Sequence, residues 1–189
     1  MSYQSLPVSM GILDFWFSPE VEPFWFVKDR DFDENLTKRF GKIYEEASLT
    51  FNQEKLDKLK SGEEALALVL IFDQLSRNMF RDTPKAFSTD DIALNISKKA
   101  VEKGLDGQLS SKIQRNFLYM PFMHSESLED QKEGIRLFST IPENEQTVTY
   151  AQQHKDIIAR FGRFPHRNKV LGRISTADEV EFEKVFGGF

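Results

Sequence analysis

The sequence predicts an all-α protein, and three observations carry that prediction. Apolar residues recur at spacings of three and four along most of the chain. Capping residues and helix-stopping glycines stand at the ends of those periodic runs. No alternating run is long enough to make a strand. In chain order, Phe32, Leu36, Phe40, Ile43, Tyr44 and Ala47 mark an amphipathic helix with Asp33, Glu34, Lys38 and Lys42 on its wet face. Ser61 to Glu64 (SGEE) forms a capping box that opens the helix ALALVLIF, residues 65–72, which is apolar on every side and therefore central. Ser88 or Thr89 caps a helix through Lys103, with Gly104 as its terminating glycine. Ser110 opens a helix carrying Ile113, Phe117, Leu118 and Met120, which Pro121 is expected to break. Ser127 with Asp130 caps a helix to about Ser139, and a further helix runs from about Glu143 to Phe161. A second capping box, Thr176 to Glu179 (TADE), opens a short C-terminal helix.

Length and composition narrow the class. A chain of 189 residues has enough sequence for one well-buried core, and no low-complexity linker divides it, so residues 1–189 read as a single domain. The absence of Cys excludes disulfide scaffolds and thiolate metal sites and favours a reducing cytoplasm. The longest apolar run has eight residues, Ala65 to Phe72, against about 20 for a membrane span, and the N-terminus lacks a basic n-region and a small-residue cleavage site. Neither a membrane association nor a nucleic-acid partner is expected of a chain with net charge −5. The charge is uneven, because His154 to Arg173 holds six Lys/Arg against one acid, a window of +5 on a remainder of −10. No cofactor is expected either: GxGxxG is absent, and Gly41-Lys42 lacks the preceding glycine of a P-loop.

Three dense polar clusters interrupt the apolar pattern, each walled by aromatic residues. In the first, Phe72 to Phe80, Asp73 and Arg77 stand at i,i+4 with Asn78 beside them. They read either as an ion pair at a helix end or as the rim of a pocket, the second gaining weight because a desolvated pair is costly unless something further uses it. In the second, Phe117 to Glu126, a turn presents His124, Ser125 and Glu126, which suit helix capping, acid/base work or substrate contact. A metal is not assigned there, since the spacing matches no ligand signature such as His-Glu-x-x-His. In the third, His154 lies on an apolar helix face, where a satisfied core residue is the ordinary outcome. Beyond it, Arg163, His166, Arg167, Asn168 and Arg173 are packed among Phe161, Phe164 and Leu171, which points the loop inward. Buried arginines need partners, and Asp73, Glu126 or an anionic ligand can supply them.

These motifs also carry a family likeness. ILDFWF, FDQLSRNMFR, AFSTD, FLYMPFMHSE, the pair Asp130-Gln131, RFGRFPHRN and LGRISTADE, in that order, resemble a bacterial family catalogued as domain of unknown function nine-two-four. The resemblance covers essentially the whole chain. It implies stacked antiparallel helical hairpins, a tetratricopeptide-like superhelix, whereas no 34-residue period is readable in the sequence and helix spacing alone leaves bundle and hairpin stack open. It implies no reaction. Two positions depart from the family pattern: Ser76 stands where Pro is usual, and Met123 where Glu is usual, which removes a carboxylate next to His124.

The resulting expectation is one pocket in which the clusters converge to bind a small anionic molecule. His124 or His166 would carry a proton, Asp73 or Glu126 would orient it, and Arg77, Asn78, His154, Arg163, Arg167, Asn168 and Arg173 would line the ligand side. The competing expectation is a helical-repeat module that docks a peptide or acidic partner protein on exposed arginines of the 154–173 stretch.

Overall fold

The computed structural model describes residues 6–186, with side chains from residue 11 onward. Every regular element among the described residues is helical. The principal helices are α1 (Leu6–Trp16), α2 (Arg30–Thr50), α3 (Gln53–Asp57), α4 (Gly62–Val69), α5 (Ser76–Met79), α6 (Asp90–Glu102), α7 (Lys112–His124), α8 (Leu128–Phe138), α9 (Glu145–Phe161) and α10 (Ala177–Phe186). A π-helical stretch, Leu70–Leu75, joins α4 to α5, so residues 62–79 form one unbroken rod. Single 3₁₀ turns fall at Pro84–Phe87 and Pro165–Arg167.

The rod is the centre of the molecule, as its all-round apolar sequence predicts. Ala65, Leu66, Val69, Leu70 and Phe72 are sealed from water, and α1, α6 and α7 pack around α4. Successive helices α6, α7, α8 and α9 then pack each against the next. The main core gathers Trp16, Leu36, Phe40, Tyr44, Phe117, Tyr119 and Phe138. A smaller cluster of Ile157, Ile158 and Phe164, backed by Phe161, Phe182 and Phe186, holds α10 and the loop after α9 against the body.

Local signals set most helix ends. Ser61 Oγ accepts from Glu64 N at 3.1 Å, although Glu64 reaches back to Lys60 N rather than to Ser61. In the second capping box, Thr176 Oγ1 accepts from Glu179 N at 3.2 Å and Glu179 Oε2 accepts from Thr176 N at 2.7 Å. Gly104 ends α6 with φ +66°, where a side chain would be strained.

The structure corrects three helix boundaries. Pro121 does not break its helix, because α7 continues to His124. An internal proline costs about 3 kcal/mol, but stopping the helix there would expose Phe122 and Met123, which continue a run of buried residues from Asn116. Each large apolar side chain buried contributes about 1.5–3 kcal/mol, so packing outweighs the lost backbone bond. The same helix begins at Lys112 rather than at Ser110, with Ser111 before it. Helix α9 begins at Glu145 because Glu143 sits at φ +53° and the Asn144 amide turns aside to pair with Asn116, each amide donating to the other at 2.9 Å.

Gly62 opens α4 where nothing larger fits. A Cβ added there would stand 2.4 Å from the Leu105 carbonyl oxygen, while its N–H donates to Gln108 Oε1. Backbone cannot yield as a side-chain tip does, so Gly62→Ala is expected to cost about 1–3 kcal/mol, the range of overpacked sites. Urea unfolding of the variant, read against the wild type, checks it.

Candidate functional site

The π-helical stretch positions the first acidic group. Widening the turn leaves the Phe72 carbonyl to be satisfied by side chains, and both Ser76 Oγ and Thr89 Oγ1 donate to it at 2.7 Å. Asp73 thereby faces inward, fully buried, and His124 at the end of α7 meets it with Nδ1 2.6 Å from Oδ1. Gln74 Nε2 donates to the other carboxylate oxygen at 2.5 Å, and Arg77 stands 3.5 Å away.

Burial works against the Asp73 charge, but His124, Arg77 and Gln74, as charges or donors, outweigh it and hold the carboxyl below the usual carboxylate range. Burial lowers the His124 pKa; Asp73 opposes this, and Arg77 and Arg167 reinforce it. An ionised Asp73 therefore accepts from the Nδ1–H of a neutral imidazole, which fixes the tautomer and leaves the lone pair on Nε2. None of the described residues hydrogen-bonds Nε2. The ring is 18% exposed and forms part of the wall of a cavity of about 250 Å³.

The strap between α9 and α10 supplies the opposite wall. Arg167 is 7% exposed, its guanidinium lying over the rings of Phe87 and Phe164 at 4.8 and 4.6 Å. It donates to Asp90 Oδ2 at 3.1 Å and to the His124 carbonyl at 3.0 Å, while its Nε is sealed without a partner. A guanidinium has five N–H donors, so three are left unengaged in a buried place. Burial first, and Arg77 second, pull the Arg167 pKa down to about 10. Pro84, Phe87, Leu94, Pro121 and Leu171 line the apolar part of the cavity, with Ser88, Asp90, Asp91 and Glu126 at its polar edge.

Several other predicted site residues are engaged in pairs of their own, Glu126 at the cavity edge and the rest outside its lining. Glu126 accepts from Arg173 at both oxygens, 2.7 and 3.0 Å, and from Phe164 N at 2.8 Å, which fastens the strap to the turn after α7. Asn168 Oδ1 accepts from Arg173 Nε at 2.8 Å, and its amide donates to Ser175. Arg163 forms a two-point pair with Glu179 at 2.6 and 2.8 Å, away from the cavity. His154 is buried, its Nδ1–H donating to Tyr150 O at 2.8 Å, and it meets Phe164 edge-on. His166 lies beside the same ring, 5.5 Å between centroids.

Asn78 is displaced from the site. It donates to Asp33 Oδ1 at 2.9 Å on the far side of the rod, where Arg81 also grips Asp33. Asn78 is therefore not a residue of the His124 cavity but, with Asp33 and Arg81, lines a separate one of about 300 Å³, and Asp33 belongs to a half-buried network rather than to the wet face of α2. Ser125 is also engaged, donating to Asp130 Oδ2 at 2.9 Å, so it is not held as a nucleophile for His124.

The family of bacterial proteins of unknown function DUF924 matches residues 12–185. The chain belongs to that family. A solved structure of a protein of unknown function, ATU0120 from Agrobacterium tumefaciens, is 35% identical, with a TM-score of 0.80 over 92% of this chain and 95% of the other. No curated protein matches. The family and this likeness bring an all-helical fold but no activity, so the chemistry of this DUF924 chain rests on its own residues.

In this DUF924 protein the second cluster lines the cavity with His124 and Glu126 and the third with Arg167, while Asp73 and Arg77 of the first do not line it and reach it only through His124 and Asp90. Asp90 is the residue that sequence reasoning missed. It takes both nitrogens of Arg77, at 2.8 and 3.1 Å, as well as Arg167, and so bridges the two arginines. In the sequence it shows only as the last letter of AFSTD, in the first turn of α6, where an acid reads as a favourable helix start. Among the described residues no group of three His, Asp or Glu is arranged for a metal ion, and no helix is long and apolar enough to cross a membrane.

Proposed function

We propose that this protein binds a small anionic molecule in the cavity beside His124 and performs acid/base chemistry on it. One observation carries the reading: His124 is pinned through Nδ1 to a buried, ionised Asp73 at 2.6 Å while its Nε2 is left without a partner at the cavity wall. That is the arrangement a general base needs, with orientation, tautomer and an open lone pair fixed before the substrate arrives. Arg167 supports the anionic half of the reading, because a buried guanidinium with unengaged donors gains most from an oxyanion. In a proton abstraction, Nε2 takes the proton, Asp73 steadies the resulting imidazolium, and Arg167 faces the negative group of the ligand.

The alternative, docking of an acidic peptide or partner protein on the basic 154–173 stretch, finds less support. It requires free arginines, whereas Arg163, Arg167 and Arg173 are each paired with Glu179, Asp90 and Glu126.

Titration of the purified protein with butyrate, followed by NMR of the imidazole Cε1–H signals, tests the proposal. The expected result is a saturable shift of the His124 signal at millimolar butyrate, lost in Arg167→Gln with the His124 signal still dispersed. An unmoved His124 signal with butyrate and with inorganic phosphate overturns it.

A further inference from the structure

The charges around the cavity balance in a way that restricts its ligand. Asp73 and Asp90 are opposed by Arg77 and Arg167, and Glu126 is neutralised by Arg173. With His124 neutral these groups sum to zero. Asp91, the second residue of α6, is different: it is exposed, lines the same cavity, and no ion pair or hydrogen bond to it is found among the described residues. One under-engaged guanidinium and one unopposed carboxylate thus line the same cavity, together with the apolar side chains of Phe87, Pro121 and Leu171.

We infer that the ligand is a small monoanion with an uncharged body, and that Asp91 is the residue that rejects dianions. The inference rests on the reading of the cavity given above and names the substrate class of that site. Arg167 has donors for one oxyanion. A second negative group on the same molecule has no cation left to meet and is brought toward Asp91, with the already occupied Asp90 and Glu126 beside it. Like charges a few ångströms apart at a protein surface cost enough to discriminate by about tenfold or more. Size points the same way: at about 30 Å³ per water in the liquid, 250 Å³ is the space of roughly eight non-hydrogen atoms, so a dianion seated there carries its second negative group near the acidic edge of the cavity.

Succinate and monomethyl succinate form a matched pair of probes at pH 7.5, differing by one charge and one methyl group. With the His124 imidazole signal as readout, monomethyl succinate is expected to bind at least tenfold more tightly than succinate. Asp91→Asn is expected to shrink the difference to less than threefold, and Asp91→Glu to restore it. Equal or tighter binding of succinate by the wild type, or an unchanged preference in Asp91→Asn, overturns the inference while leaving the proposed site intact. If neither probe moves His124 and butyrate does not either, the proposed site itself has failed.

Discussion

Asp73→Ala is expected to destabilise the protein by about 3–5 kcal/mol, the cost of removing one partner from a buried ion pair. The carboxylate is fully buried, and three groups lose their partner at once: the Nδ1–H of His124, the Gln74 amide and part of the Arg77 charge. Arg77 retains Asp90, which limits the damage to that side. For a chain of this length each kcal/mol corresponds to about 2–4 °C in Tm, so thermal unfolding reads the effect easily. Asp73→Asn keeps the volume and an acceptor for His124, and its loss is expected to be about half as large. The pair of variants separates charge from shape. A loss below about 1 kcal/mol for Asp73→Ala, the range of exposed pairs, would show that the carboxylate is not held as described. A second readout is local: since Asp73 is what opposes the lowering of the His124 pKa, its removal moves the His124 titration to still lower pH.

That network also shows what could and could not be read from the sequence. Capping boxes and terminating glycines are local grammar, so SGEE, TADE and Gly104 were legible and the helices they bound were found. The inward turn of RFGRFPHRN was legible too, because aromatics interleaved with arginines make no sense in a solvated loop; Phe164 is fully buried and Arg167 nearly so. Partner identity was not legible. Asp73 and His124 are 51 residues apart, and Asp90 and Arg167 are 77 apart, so no spacing rule connects them. The i,i+4 rule did join Asp73 to Arg77, yet the stronger partner of Arg77 is Asp90, because the π-helical turn alters which side chains face one another. Asn78 was misplaced for the same reason: on the same short run as Arg77, it points to α2 and Asp33. Pro121 shows the opposite error, in which a strong local signal lost to the burial of the residues around it.

Acid is expected to destabilise this protein well above the pH at which carboxylates protonate, and all three histidines contribute with one sign. Burial is the leading cause in each case: it lowers His154 to about 3 and His166 to about 4, and His124 moves in the same direction. A folded pKa below the unfolded value of 6.5 means that the unfolded chain binds more protons in between. Stability from these groups is therefore complete above pH 6.5 and is lost as the pH falls toward 4. Each such histidine contributes a slope that starts at half its full size at pH 6.5 and approaches about 1.4 kcal/mol per pH unit below it, so His154 and His166 together remove about 3 kcal/mol between pH 6.5 and 5. The lowered carboxylates Asp73, Glu126 and Glu179 also make the fold acid-labile, but their share is lost only below about pH 4, so the two windows separate. Urea midpoints at pH 7.5, 6.5, 5.5 and 5.0 measure the slope, and His154→Gln is expected to flatten it by one proton. Stability that stays level from pH 7 to 5 would mean that the histidines titrate as they do in water. Phe164 and Arg167 could not then be packed around them, and the strap that closes the cavity would have to lie elsewhere.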